Sequence, residues 1–353
     1  MDFTPTEEQE AARELAARIL GDLSTHERLA ATGGGTDAEL WKALCAAGLP
    51  AAVEEIGLLG LVLLLEEQGR VTAQVPLAAT GVYGILAVAR HGTDEQRARL
   101  LPGLRDGTAV ATGAFPATGA VTARDGRLTG TVTWVPWLRD AAHVLVPDAD
   151  RALWLVRTED AVVEAVELTA PWSAGRLVLD GTPAERLGDG TGEGAHEDGT
   201  GVGAYEDVLA AARTAFAGLQ AGVCAGSLAR AVAYTSVREQ FGRPLATRQA
   251  VQLRAADAHM DTESIRVTAY EAAWRSDAGL DCAGAALTAA WWASEAGKRV
   301  VHSGQHLHGG MGADLDHPVH RHFLWGRQLD AYLGAGTELL AELGDLLAKG
   351  ETA

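Results

Sequence analysis

The residues with the most chemistry to offer lie late in this chain. Arg238-Glu239-Gln240-Phe241-Gly242-Arg243-Pro244, followed by Gln249, sets a guanidinium, an amide and an aromatic ring close together. A guanidinium is a rigid fork of donors that matches a pyrophosphate. Gln240 adds a donor beside it and Phe241 an apolar platform. The competing reading is structural: an arginine that satisfies the dipole at a helix C-terminus, with phenylalanine as a core anchor. A second stretch, Gln305-His306-Leu307-His308-Gly309-Gly310-Met311-Gly312, tips the balance. Its glycines let a backbone approach a phosphate or sugar closely, although they also suit a plain helix cap and turn. With both stretches present the ligand-binding reading is favoured. Six histidines cluster nearby: His302, His306, His308, His317, His320 and His322. His302 and His306 stand i,i+4, but no HExxH pattern and no spaced third ligand accompanies them, so no metal is expected. Polar packing around a ligand or a subunit contact is expected instead.

Several elements must position these residues. The chain has 353 residues, enough for two or three domains with a real core. Hydrophobic content of 47% beside 22% charged residues is ordinary for a globular protein. The net charge is −18, and three of the 29 basic residues are lysine, which argues against nucleic acid and against an anionic membrane surface. A local phosphate site remains open, because a few arginines suffice. Cys45, Cys224 and Cys282 are widely spaced with no CxxC, which fits a cytoplasmic location and no disulfide framework. The acidic start, MDFTPTEEQEAAREL, does not read as a secretion signal. No apolar run is expected to reach the ~18 residues of a membrane span, and IGLLGLVLLL at 56–65 reads as a buried core helix.

Residues 1–108 read as a helical domain. Thr4-Pro5-Thr6-Glu7 predicts a capping box with proline at the first helical position. Thr36-Asp37-Ala38-Glu39 opens a second helix that Gly48 can close, and Thr93-Asp94-Glu95-Gln96 opens another, before Pro102 and Gly103 change the character of the sequence. Residues 109–186 read as a β-barrel or sandwich domain: RLTGTVTWV, AHVLVP, ALWLV and GRLVLDG are strand-like, and Arg124-Asp125-Gly126 predicts a type I′ hairpin turn. Residues 187–204 are Gly-rich and acidic, a linker without the spacing of a calcium loop. Residues 205–353 read as a four-helix bundle, with helices over 205–239, 246–276, 283–307 and 317–348 and breaks near Gly242, Gly279, Gly309 and Gly334. AGVCAGSLARAVA is rich in small residues, which permits close helix approach. The fold class is therefore α+β, multi-domain.

Taken in order, the RxQFG-like stretch with Gln249, the QHLHGGMG stretch and Gly334-Ala335-Gly336-Thr337 resemble the acyl-CoA dehydrogenase family. MDFTPTEEQ, GTDEQRARLLPGLRDGT and Gly130-Thr131-Val132-Thr133-Trp134-Val135 extend the resemblance over nearly the whole chain. It implies FAD as cofactor. Arg238, Gln240, Phe241, Gln305, Gly309 and Gly310 would reach into the flavin of a neighbouring protomer, Thr337 would touch the chain's own, and Gln249 and Trp134 complete the set. It also implies an acyl-CoA substrate and an electron-transfer flavoprotein as acceptor.

The sequence departs from the family where a proton must be removed. The family's base precedes the Gly-Thr of the last motif, which is Ala335 here; some members place it 29 residues before the motif's phenylalanine, which is Ala212. A methyl group takes no proton. Glu338 lies i+3 from Ala335 and on a continuing helix shares its face, but it also fits an exposed glutamate favoured by the dipole at a helix start. Where the family has Thr-Glu-Pro and a Gly-Ser-Asp loop, this chain has Ala114-Phe115-Pro116-Ala117-Thr118-Gly119. Where it has Trp-Ile-Thr-Asn, this chain has Trp134-Val135-Pro136-Trp137, and a proline has no N–H to offer a flavin edge. Asp316 to Trp325, DHPVHRHFLW, resembles the base-lacking subunits of actinobacterial heterotetramers that act on steroid side chains. Three readings follow: a subunit that shares its flavin with a base-bearing partner, a self-sufficient homo-oligomeric flavoenzyme with Glu338 as relocated base or altered chemistry, or a non-catalytic assembly subunit.

Overall fold

The computed structural model describes residues 2–116, 119–188 and 203–350. Helices come first: α1 (Glu7–Leu23), α2 (His26–Thr32), α3 (Ala38–Ala46), α4 (Leu49–Val71), α5 (Leu77–Ala79), α6 (Ala87–His91) and α7 (Asp94–Asp106), with a π-helical turn over Thr80–Leu86 between α5 and α6. Strands follow: β1 (Ala111–Gly113), β2 (Val121–Arg124), β3 (Arg127–Val135), β4 (His143–Pro147), β5 (Leu153–Arg157), β6 (Val162–Ala165), β7 (Gly175–Pro183) and β8 (Glu185–Arg186). Then come α8 (Ala204–Val237), a hairpin of β9 (Glu239–Gln240) and β10 (Arg243–Pro244), α9 (Gln249–Asp277), α10 (Ala283–His308), α11 (Val319–Leu329) and α12 (Gly336–Ala348). The helical, β and helical segments follow one another in the expected order. Most of the Gly-rich linker, 189–202, lies outside the described residues, as do 117 and 118.

By compactness the chain forms two units: residues 27–61 with 74–212, and residues 1–26 with 62–73 and 213–353. The first unit holds the β layers. One sheet has the order β1-β4-β5-β8 and the other β2-β3-β7-β6. Their inward faces supply Val121, Leu128, Val132, Val135, Val144, Val146, Val156, Leu177 and Leu179 to one core. Alternation along the strands produces this, since successive side chains point to opposite faces. The Asp125-Gly126 turn is as expected: φ is +50° and +70°, and Arg124 pairs with Arg127.

The second unit is a bundle around α8. Gly218, Gly222 and Gly226 face α4, and a Cβ on Gly222 would lie 2.0 Å from the carbonyl oxygen of Glu66. The two helix backbones are therefore in direct contact, as the small-residue stretch suggested. On its other side α8 meets α10, where Gly297 accepts Gln220 and Gly304 accepts Ser227 at close range. The amide of Gln220 donates to the carbonyls of Ala293 and Gly326. Beside the α4 contact the buried carboxylate of Glu66 accepts from Arg266 at 2.6 Å, Arg70 at 3.1 Å and Tyr270 Oη at 2.8 Å. Burying a carboxylate is tolerable only with such partners.

Four expectations need correction. The first helix is capped by Thr6 with Gln9, not by Thr4 with Glu7, because Asp2 takes the Thr4 hydroxyl at 2.7 Å. Pro102 lies inside α7, which runs on to Gly107 at φ +77°. The segment 317–348 counts as two helices rather than one, parted at the break expected near Gly334, whose φ is +120°. Finally, α8 does carry a run long and apolar enough to cross a bilayer, of mean hydropathy 1.4, but 89% of that window is buried in the fold, as a central bundle helix requires.

Candidate functional site

The RxQFG stretch forms the tip of a projecting arm. From Ser236 to Asp257 no side chain is buried, although the segment is regularly folded as the end of α8, the β9–β10 hairpin and the first turns of α9. The hairpin pairs Gln240 with Arg243 and Glu239 with Pro244 around a two-residue turn, Phe241-Gly242, with φ of +53° and +75°. These are the angles of a type I′ turn, which ordinarily takes Asn-Gly. Phe241 is 90% exposed. The arm carries Arg238, Arg243, Arg248 and Arg254 against Glu239 and Asp257, a net-cationic stretch in a chain of net charge −18. Gln249 is exposed at the first turn of α9. Along α9 the exposed Leu253, Met260 and Val267 recur every seven residues, and the first two line an open groove of about 710 Å³ against α10.

The glycine turn sits at the root of this arm. Tyr234, one turn before Arg238, stacks on His308 at 4.9 Å and its hydroxyl meets the Met311 sulfur at 3.9 Å. Gly309 has φ +64°, and a Cβ on Gly309 or Gly310 would meet nothing within 4 Å. Among the described residues nothing requires glycine at 310, and its bare backbone is open on that side. Gln305 is half-buried, and its amide donates to the carbonyl of Gly312 at 3.3 Å, which braces the turn. Among the described residues no group of three His, Cys, Asp or Glu is placed to hold a metal. His322 is buried, with Nε2 at 3.1 Å from the Arg70 carbonyl, and burial lowers its pKa to about 4.

Ala335 is the half-buried N-cap of α12, with φ −81° and ψ 157°. Its N–H donates to Glu338 Oε2 at 2.9 Å, so the Glu338 carboxylate folds back as a helix cap and is exposed. Thr337 is exposed beside it. A Cβ on Gly336 would stand 2.2 Å from the Glu295 carboxylate, so a larger residue there would push that side chain aside. Behind the loop, Phe216 and Tyr332 meet edge to face at 4.7 Å, and Arg213 makes a two-pronged bond to Glu342 at 2.8 and 2.6 Å. These side chains and Gly334 leave a slot of about 20 Å³, room for one water. Ala212 is fully buried.

In the β-bearing unit Trp134 is partly exposed on β3. Pro136 is buried and its carbonyl accepts from Thr112 Oγ1 at 2.6 Å. Trp137 has φ +53°, is fully buried and stacks on Trp172 at 4.4 Å. Phe115, where the family has glutamate, is sandwiched between Tyr83 and Tyr205 at 5.2 and 5.5 Å. The polar edge that the resemblance implies is thus replaced by buried aromatic packing. Tyr234, Arg248 and the hairpin were missed in the sequence, although the i−4 spacing of Tyr234 from Arg238 placed it on the same helix face.

Residues 199–342 match the model of the acyl-CoA dehydrogenase C-terminal domain, and residues 6–108 that of the N-terminal domain. Acyl-CoA dehydrogenase FadE27 of Mycobacterium tuberculosis is 36% identical over 99% of both chains. The chain belongs to the acyl-CoA dehydrogenase family. Two solved assemblies in that family are similar along their whole length. A variant of the Tcur3481–Tcur3483 steroid acyl-CoA dehydrogenase superimposes with a TM-score of 0.89 at 41% identity, covering 98% of this chain and 99% of that one. The ChsE4–ChsE5 complex of M. tuberculosis gives 0.88 at 32% identity, with complete coverage of both. The helical, β and helical architecture is that of the family.

Proposed function

We propose that this chain is one half of a heteromeric, FAD-dependent acyl-CoA dehydrogenase. It lends its arm to a flavin whose ring and catalytic base belong to a different family member. The observation that carries this is an asymmetry. The arm is intact, cationic and unburied, whereas the seat for the chain's own flavin ring offers Pro136, with no N–H and a carbonyl already bonded to Thr112. A homodimer of this chain would present the arm to a seat that cannot hold a ring edge. The relatives named for two-component complexes support the same reading.

Bound FAD supplies the hydride acceptor for desaturation of an acyl-CoA thioester at its α,β bond. This chain's residues bind and orient. Arg238 matches the diphosphate with forked donors, Gln240 and Phe241 add a donor and a platform, and the bare Gly309-Gly310 backbone admits close approach. Proton removal falls to a carboxylate of the partner, because Ala335 and Ala212 bear methyl groups and Glu338 is occupied as a cap. A steroid-type acyl chain is the substrate class, by likeness to the steroid enzyme, and an electron-transfer flavoprotein the acceptor.

The test is flavin content and turnover of the chain purified alone and together with a co-expressed, base-bearing family member. Alone it should be colourless and inactive; in the complex it should carry FAD and oxidise acyl-CoA. Full flavination and turnover of the lone chain would overturn the proposal.

A further inference from the structure

We propose that Arg248 is a positioning residue that holds the flavin-facing tip of the arm in shape; this rests on the shared-flavin reading above. Phe241 occupies left-handed backbone, where a bulky L-residue is strained. It is almost wholly exposed, so no core packing offsets the strain. The strands behind it are two residues each, too short to fix the turn by themselves. Arg248 reaches back across the turn. Its guanidinium lies 5.2 Å from the Phe241 ring centroid, and Nη2 donates to the Gln240 carbonyl at 2.8 Å. One side chain thus grips both tip residues that face the cofactor.

The backbone of Arg248 is itself fixed. Its N–H donates to the Leu245 carbonyl at 3.0 Å, and its carbonyl accepts from Val251 and Gln252 at 3.0 and 3.1 Å. A purely structural reason for this arginine fails on electrostatics. Arg248 is the N-cap of α9 and makes no side-chain cap bond. A cation is unfavourable at that end of a helix, where Ser, Asp or Asn would serve. The helix gains nothing from arginine here; the tip does.

Two readouts test the proposal. Hydrogen exchange of the hairpin amides, measured on the chain alone, needs no flavin. FAD affinity is measured on the complex with the base-bearing partner. A cation–π contact and a charged hydrogen bond at an exposed site are each worth a few-fold. Arg248→Gln should therefore speed hairpin exchange about tenfold and weaken FAD binding about tenfold. Arg248→Lys, which keeps the charge over the ring, should recover most of the affinity. Unchanged exchange, faster exchange with unchanged FAD affinity, or a lysine variant no better than glutamine would each overturn the role of Arg248. A wild-type complex without FAD sinks the shared-flavin reading and this role with it, whereas a flavinated wild type with an unaffected Arg248→Gln sinks the role of Arg248 alone.

Discussion

Substituting Gly222 by alanine tests whether α4 and α8 truly touch backbone to backbone. The new Cβ would stand 2.0 Å from the Glu66 carbonyl oxygen, 2.8 Å from its carbon and 2.9 Å from its Cα, whereas ordinary contact begins at 3.4 Å. The obstacle is helix backbone, not the free end of a side chain, so α4 must shift by roughly an ångström. Overpacking of that kind costs about 1–3 kcal/mol. The shift also strikes the residue whose carboxylate binds Arg266 at 2.6 Å and Tyr270 at 2.8 Å. Loosening those buried bonds adds about 1–2 kcal/mol, and the better helix propensity of alanine returns about 1 kcal/mol. The net expectation is a loss of about 1–4 kcal/mol in denaturant unfolding. Gly344→Ala is the control: it lies in α12, exposed, with nothing within 4 Å of a Cβ, and should gain about 0.5–1 kcal/mol. A Gly222→Ala chain within about 0.5 kcal/mol of wild type would refute the close contact.

Other outcomes follow from single residues. His322 has a folded pKa of about 4 against an ordinary 6.5, because burial disfavours its charged form. Its folded pKa is depressed, so the unfolded chain binds the extra proton between these values; stability is full above pH 6.5 and falls towards pH 4, by roughly 2–3 kcal/mol. His322→Gln should flatten that limb of the stability curve, and parallel curves would contradict the assignment. Glu338→Gln keeps an acceptor at the third helical position, so turnover of the complex and unfolding midpoint should both hold within error; lost turnover would revive Glu338 as a base. Ala335→Glu in the lone chain should give no acyl-CoA oxidation, since the ring seat at Pro136 stays deficient. Measurable turnover would show that the missing base was the sole defect.

Strong local signals were legible in the sequence. Thr93-Asp94-Glu95-Gln96 opens the expected helix, through a capping box of Thr93 with Gln96, and Asp125-Gly126 forms the expected turn. At the N-terminus two boxes overlap, Thr4 with Glu7 and Thr6 with Gln9, and a contact from Asp2 decides between them. Composition announced a small-residue face on α8 but not that it meets the α4 backbone, which depends on the crossing of the two helices. The β9–β10 hairpin was hidden because Phe-Gly is not a usual type I′ pair. At the site, the RxQFG and HGGMG stretches were visible as motifs. What Arg248 does for the first and Tyr234 for the second was not, because both act through tertiary contacts on residues several positions away.

The arm also explains why two departures from the usual site can persist together. A strained, exposed aromatic on a short hairpin is unfavourable in an isolated chain, and on the shared-flavin proposal burial against a partner would help offset the strain. The bundle that carries it is stabilised independently, by the α4–α8 contact and the Glu66 network. In the stretch Trp134–Trp137, by contrast, Val135, Pro136 and Trp137 are buried, with Trp137 stacked on Trp172, and Trp134 is partly exposed. On the shared-flavin proposal this chain can lack both the seat and the base, because its arm would serve a flavin held by another chain.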